Sequence, residues 1–319
     1  MRCWLLFQRA LSLEIPEAPE VYRFIDCAAR LGIELTVLQP EEFDLVVDPA
    51  AGWSATYQGR KLPRPELIIA RTGSETSYFT LAILRHFERQ GVAMVNGPAA
   101  IEAVADKLHT LQMLSHADIP IPKTILGKFP VDVALVEREL GFPVVVKILR
   151  STRGQGVLLC TSREQFNDLA NLLDGAKPGT DFLFQQYIAA SHGRDIRVLV
   201  IGGRAVAAME RRSTDGSFKS NISLGGIGVC HEMPLPLRRL AERVARTLGL
   251  DVAGVDVLID GERYLVCEAN SAPGFQGLEQ ACGVDVPDLI FKEARQRASR
   301  AVGKRPGLWH RLAGTLFGK

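Results

Sequence analysis

A carboxylate set inside an apolar run restricts what this chain can fold into. The run is Val252-Ala-Gly-Val-Asp-Val-Leu258, with Asp256 near its end, and it reads as a strand. A second strand, Tyr264-Leu-Val-Cys-Glu268, follows after the tight-turn pair Asp260-Gly261. A hairpin of these two strands sets Asp256 opposite Glu268 and Asn270, which lie two residues apart and share a face. Three oxygen donors then converge, a set that suits Mg²⁺ with substrate phosphates completing its shell. The plain alternative is an acidic sheet edge. The apolar flanks argue against it, because a buried and unpaired carboxylate is costly. Asn270-Ser-Ala-Pro-Gly-Phe-Gln-Gly277 reads as a loop, placed to wall a substrate.

The chain has 319 residues, 47% of them apolar and 23% charged, with a net charge of +2. That excludes a disordered chain, and no apolar run reaches the roughly 20 residues of a membrane helix. The opening Cys3–Phe7 run is too short for a signal-peptide core, so the expected location is cytoplasmic, with no membrane partner. Cys3, Cys27, Cys160, Cys230, Cys267 and Cys282 form no Cys-x-x-Cys pair and read as scattered thiols. Lys292–Lys319 carries eight basic residues against the single acid Glu293. Without aromatic interleaving, this is a solvated end, and nucleic acid is not an expected partner.

Strand and helix signals alternate over the first hundred residues. Cys3–Phe7, Glu34–Leu38, Leu67–Ala70 and Val92–Val95 read as strands, and Pro16–Leu31 and Thr80–Arg89 as helices. This rhythm predicts a small doubly wound α/β domain without a Gly-x-Gly-x-x-Gly dinucleotide fingerprint. Ala99–Ala117 reads as one helix with Asp106-Lys107 in its middle. Val144–Val146, Val157–Cys160 and Phe182–Tyr187 read as strands, and Glu164–Leu173 as a helix. Ile196–Ile201 and Ala205–Glu210 form a hairpin about Gly202-Gly203, and Leu235–Leu248 is an amphipathic helix.

Lys147 closes an apolar strand just before Ser151-Thr-Arg-Gly-Gln-Gly156. A lysine there can reach a nucleotide phosphate, while Gly154 and Gly156 let backbone N–H groups approach it and Arg153 adds charge. The plain reading of this segment is a surface hairpin, and no Gly-Lys-Ser/Thr motif is present. Arg194 and Arg197 flank Asp195, Arg211 and Arg212 follow Glu210, and Lys219-Ser220-Asn221 comes next. Planar guanidinium groups suit phosphate and carboxylate, with ordinary surface ion pairing as the alternative.

The order Lys107, Lys147 with Thr152-Arg-Gly-Gln-Gly156, Gln185-Gln-Tyr-Ile188, Asp195-Ile-Arg197, Glu210-Arg-Arg212, Lys219-Ser-Asn221, Asp256 and Glu268-Ala-Asn-Ser-Ala-Pro-Gly274 resembles the ATP-grasp superfamily. Within it, the chain looks like the RimK-like α-L-glutamate ligases. Gly59-Arg-Lys-Leu-Pro63 and Ala70-Arg-Thr-Gly73 extend the resemblance to the N-terminal region. It implies an ATP-grasp fold, mixing α/β and α+β parts. These are an N-terminal α/β domain at 1–98, a central lid at 99–190, a C-terminal α+β domain with the metal site at 191–300, and a basic tail at 301–319. It also implies ADP-forming ligation of a carboxylate to an amine through an acyl phosphate. L-glutamate would be added to the C-terminus of a protein or peptide.

By that resemblance, Lys107 and Lys147 contact ATP phosphates, with Arg153, Gly154 and Gly156 closing over them. Gln186, Tyr187 and Ile188 line the adenine pocket, Asp195 holds the ribose, and Lys219, Ser220 and Asn221 lie near the nucleotide. Arg197 and Arg212 neutralise phosphate, the intermediate or a substrate carboxylate, and together with Lys147 they form the catalytic set. Asp256, Glu268 and Asn270 hold two Mg²⁺ ions, for which Mn²⁺ can substitute, and the enzyme is a homo-oligomer. Three positions depart from the family pattern: Gln186 where an acid is common, and Lys219 and Leu224 where arginines are familiar. Less positive charge near the substrate points to a less anionic acceptor. The competing readings are a ligase of small-molecule or cofactor acceptors, a ligase of another amino acid, and an ATP-binding regulatory protein without turnover.

Overall fold

The computed structural model describes residues 1–12, 14–50, 52–73, 76–128, 130–149, 156–176, 181–222 and 225–303. The chain divides into two units. One comprises Met1–Thr72, Ser77–Pro98 and the chain from Pro287 onward, and the other comprises Gly73–Thr76 with Ala99–Val286. Among the described residues, no helix is long and apolar enough to cross a membrane.

The first unit is built on a parallel sheet. Its strands are β1 (Arg2–Leu6), β2 (Glu34–Leu38), β5 (Leu67–Ala70) and β6 (Ala93–Val95), in the order β2-β1-β5-β6. Helix α1 (Ala18–Arg30) links β1 to β2, and α2 (Tyr78–Arg89) links β5 to β6. Val21, Phe24, Cys27 and Ala28 recur at helical spacing and are the buried face of α1. Ser77 caps α2 by accepting a hydrogen bond from the Thr80 N–H. The hairpin β3 (Phe43–Asp48) and β4 (Gly52–Tyr57) was not legible in the sequence, because Asp44, Asp48, Ser54 and Thr56 dilute its apolar pattern. Helix α9 (Val286–Gly303) returns to this unit, where the Phe291 ring meets Phe24 edge-on at 5.7 Å.

The second unit carries two antiparallel sheets. The first orders β7 (Thr124–Lys128), β10 (Asp181–Gln186), β8 (Val144–Ile148) and β9 (Val157–Cys160) as β7-β10-β8-β9. Helices α5 (Val133–Leu140) and α6 (Arg163–Ala176) belong to this part of the chain. Val136, Val144, Val146, Phe166, Phe182 and Phe184 form its core. The second sheet comprises β11 (Arg194–Ile201), β12 (Arg204–Arg212), β13 (Ile227–Cys230), β14 (Val252–Asp260) and β15 (Arg263–Asn270), ordered β13-β12-β11-β14-β15. Helix α7 (Leu235–Thr247) covers one of its faces, packing Leu237, Ala241 and Val244 on Ile196, Val198, Val255 and Val257. On the other face, helix α8 (Gln276–Cys282) packs against β12 and β13, and the remainder is left for the site.

Two elements differ from the sequence expectation in ways that matter for function. The helix expected over Ala99–Ala117 is two helices, α3 (Pro98–Ala105) and α4 (Lys107–His116). Asp106 breaks them apart: its backbone is extended, and its side chain accepts from the His109 N–H at 2.9 Å. A short carboxylate competes with the helix for backbone donors and so caps rather than continues it. Lys107 thereby becomes the first residue of α4. In addition, β8 runs on through Lys147 to Ile148, so Lys147 lies within the strand rather than after it. The loop residues Arg153 and Gly154, and Leu224, lie outside the described residues. Asp106→Ala should cost about 1 kcal/mol through loss of the cap, read as a lower urea midpoint; an unchanged midpoint would contradict the capping role.

Candidate active site

Strand register decides which side chains meet on the face of the second sheet that lies away from α7. Asp195 pairs with Arg211, Arg197 lies opposite Asp256, and Asp256 lies opposite Glu268. Alternation puts Asp195 and Arg197 on the face opposite Ile196 and Val198, away from α7. Arg197 donates to both carboxylate oxygens of Asp256, Nε to Oδ1 at 2.8 Å and Nη2 to Oδ2 at 2.7 Å. Arg211 donates to both oxygens of Asp195 at 2.6 Å, and its Nη2 lies 2.9 Å from Asp256 Oδ2. Four charges from three strands form one connected cluster, with Asp256 and Arg211 each 4% exposed. Burial alone would raise the Asp256 pKa; Arg197 and Arg211 outweigh it and hold the carboxyl at about 2.

One residue of the expected catalytic set lies apart from this cluster. Arg212 pairs with Arg194 and shares its face with Glu210 and Ala208, on the α7 side. Its neighbour Arg211 is the one that joins Asp195 and Asp256. The alternation was available in the sequence, but the pairing register of β11 and β12 was not. A second residue the sequence did not reveal is Cys267. The register shifts between Asp256 and Val257, so Val266 and Glu268 keep ladder partners and Cys267 is the extra residue. The bulge lets Cys267 and Glu268, neighbours in sequence, both line one cleft.

That cleft, about 360 Å³ and open to solvent, is lined by Lys107 of α4, Lys147 of β8, Gln185 of β10, and Cys267 and Glu268 of β15. Val145 and Lys147 alternate with the core residues Val144 and Val146, so Lys147 faces away from the core of this sheet. Lys147 Nζ donates to Gln185 Oε1 at 2.7 Å and lies 3.4 Å from Cys267 Sγ. Burial works to lower the Lys147 pKa, but its negative neighbours prevail and raise it. Burial pushes the Cys267 thiol up. At neutral pH the thiol is thus uncharged and meets Lys147 as a hydrogen-bond partner, beside the carboxylates of Glu268 and Asp256. Lys107 Nζ is 3.8 Å from Glu268 Oε1. Two lysines on separate elements therefore line the cleft that holds the Glu268 carboxylate.

Asn270 lies opposite Gly254 on the face of Glu268, and its amide Nδ2 is buried without a partner among the described residues. A Cβ on Gly254 would come within 2.5 Å of Pro273 Cβ, so this glycine lets the loop after Asn270 lie against the sheet. Gln186 pairs with Val144 at the end of β10, and Tyr187 and Ile188 follow it; none of the three is among the residues lining the cleft. The Tyr187 hydroxyl is hydrogen-bonded to His192 Nδ1. Ser220 is buried, and the carbonyls of Ser220, Asn221 and Arg212 crowd Gly226, where a Cβ would meet them at 2.6–3.1 Å. This packing folds Lys219–Asn221 back against the end of β12. Gly156, at φ +68°, accepts the Ile148 N–H at its carbonyl.

The model of the RimK-like ATP-grasp domain matches residues 104–293, and that of the RimK PreATP-grasp domain matches residues 13–101. The chain belongs to the RimK-like ATP-grasp family. It is 38% identical over 278 residues to a probable alpha-L-glutamate ligase of Enterobacter sp. (strain 638), covering 87% of this chain and 92% of that one. It is 36% identical, with the same coverage, to the ribosomal protein bS6–L-glutamate ligase of Escherichia fergusonii. The fold also matches the ATP-grasp ligase PsnB, solved with a phosphomimetic precursor variant, Mg and ADP. That match has a TM-score of 0.71 and 19% identity, over 93% of this chain and 98% of that one. The ATP-grasp fold expected from the sequence is thus present.

The buried cluster yields a pH prediction. Asp256 titrates lower folded than unfolded, so its contribution is complete above the ordinary carboxylate pKa near 4 and is lost as pH falls towards 2. Asp256→Asn leaves two guanidinium groups facing a neutral amide and should cost about 3–5 kcal/mol at pH 7. Melting curves should show the wild-type advantage shrinking from pH 5 to pH 2; a gap independent of pH would contradict the pairing.

Proposed function

We propose that this RimK-like ligase is ATP-dependent and ADP-forming, and joins L-glutamate to the C-terminal carboxylate of a protein or peptide. The observation that carries this reading is the cleft where Lys147 of one sheet and Lys107 of α4 face the carboxylates of the other sheet. Such a cleft binds a polyanion next to a site for cations. The glutamate-ligase names of relatives at 36–38% identity support the amino acid and a protein acceptor. The Mg and ADP in the PsnB complex support the cofactor and the nucleotide product.

In this reading the segment 99–190 works as the lid, and Lys107 and Lys147 grip the ATP phosphates from two sides. Gln185 orients the Lys147 ammonium, and Glu268 and Asp256 keep it charged. The acceptor carboxylate attacks the γ-phosphorus, ADP departs, and the acyl phosphate forms. The glutamate amino group then adds to its carbonyl carbon, and phosphate leaves. No enzyme nucleophile is needed; the protein supplies alignment and charge neutralisation. Arg197 and Arg211, fixed by Asp256 and Asp195, present guanidinium N–H groups on the face where negative charge builds up.

The residues present fit magnesium. Asp256, Glu268 and Asn270 offer hard oxygen donors on one face, and the unpartnered Asn270 amide marks a polar site that the protein alone does not complete. Glu268 and Asn270 would hold the ion first, since both Asp256 oxygens are engaged by arginines. When bound, magnesium neutralises phosphate charge.

Purified protein given Mg-ATP, glutamate and an acceptor-peptide mixture should release ADP and no AMP, with a +129 Da product by mass spectrometry, the mass of one glutamyl residue. AMP release would contradict the acyl-phosphate route. Glu268→Ala should lower ADP release at least 100-fold with little change in Tm, because the Glu268 side chain is 41% exposed and its ion pair with Lys107, at 3.8 Å, is long. Unchanged release would remove Glu268 from the site.

A further inference from the structure

The face of the second sheet that α7 covers carries a separate charge cluster at its open end. Arg194 begins β11 and Arg212 ends β12, directly opposite each other. Both turn to Glu210, a residue mostly out of solvent. Arg212 donates Nε and Nη2 to the two Glu210 oxygens at 3.0 Å, while Arg194 Nη1 stands 3.9 Å from Oε1. His231 Nδ1 lies 3.6 Å from Oε2. Two guanidinium groups thus share one carboxylate that the first already occupies. Like charges opposed across a ladder repel. Arg194 Nε is moreover buried with no hydrogen-bond partner among the described residues. An unmet buried donor and an unbalanced positive charge at one residue are both relieved by a bound anion.

Beside this cluster runs β13, the edge strand of the sheet. Its Ile227 pairs with Arg212 and its Val229 with Glu210, so both share the cluster's face, and both are about half exposed. An aliphatic shelf along a strand that is at the sheet edge among the described residues suits an extended peptide. Neither strand places an aromatic ring there on which a nucleic-acid base would stack.

We propose that Arg194, with Arg212, binds a side-chain carboxylate of an acidic peptide segment lying along β13, on the face opposite the Asp256 cluster. Its identification as part of the acceptor rests on the ligase reading above. The site offsets the loss of a positive charge at Leu224, which taken alone points to a less anionic acceptor. Arg194 acts on binding of the segment, not on the reacting atoms.

The test is fluorescence anisotropy of full-length protein, without nucleotide, using fluorescein-labelled hexa-L-glutamate as the probe. Hexaglutamate should bind and hexaglutamine should not. Arg194→Gln should weaken hexaglutamate about tenfold with an unchanged melting curve. Arg194→Lys should keep most of the affinity, and Glu268→Ala should leave it unaltered, which excludes binding in the catalytic cleft. Equal binding by wild type and Arg194→Gln would overturn the proposal. So would hexaglutamine binding as tightly, or displacement by inorganic phosphate or an RNA hexamer as readily as by unlabelled hexaglutamate. ADP release by the same preparation separates the two readings. Release together with Arg194-independent binding defeats this proposal alone, whereas Arg194-dependent binding without release defeats the ligase reading and leaves the peptide site standing.

Discussion

Asp256 held between Arg197 and Arg211 is the contact on which the site depends. Three strands contribute to it, β14 with the carboxylate and β11 and β12 with the guanidinium groups, and Asp195 completes the charge balance. A one-residue slip of any strand would send its charges to the face that α7 packs with Ile196, Val198 and Val257. Breaking the pairing would strand charges in a dry environment. The cluster therefore specifies register as well as chemistry. Because Asp256 lies opposite Glu268, fixing Asp256 also fixes where the cleft carboxylate stands.

The opposing side of the cleft is built by different means. Lys147 reaches it because strand alternation turns Lys147 away from the aromatic core that Val144 and Val146 join. Lys107 reaches it because Asp106 stops one helix and starts the next. Cys267 and Glu268 reach it together because a bulge adds a residue to β15. Cationic and anionic groups thus meet without a single sequence motif containing both. That is what a ligase needs when its catalysis is alignment of two substrates and neutralisation of phosphate charge, rather than attack by a side chain.

Much of this was legible in the sequence for local reasons. Leu67–Ala70 is apolar throughout and forms a strand with those bounds, and the Gly202-Gly203 turn joins the hairpin it announces. The Asp256, Glu268 and Asn270 face follows from period two and a tight turn. Other features depended on tertiary pairing. Which of Arg211 and Arg212 meets Asp256 rests on the β11–β12 register, and the placement of Cys267 on a bulge. Strand β13 is short and half exposed, with Gly228 in its middle, so it gave no periodic signal. The break at Asp106 had a local signal, a capping residue before Lys107, which the apolar periodicity on either side obscured. Arg194 read as one of several surface arginines until its unmet Nε and its place opposite Arg212 set it apart.

The most direct measurement is a double-mutant cycle on unfolding free energy at pH 7, combining Arg211→Met with Asp256→Asn. If the buried charges act as one unit, the double variant should be more stable than the sum of the single losses predicts, by about 1 kcal/mol or more. Additivity within about 0.5 kcal/mol would mean that Arg211 and Asp256 do not depend on each other, contradicting the view that this pair organises the site.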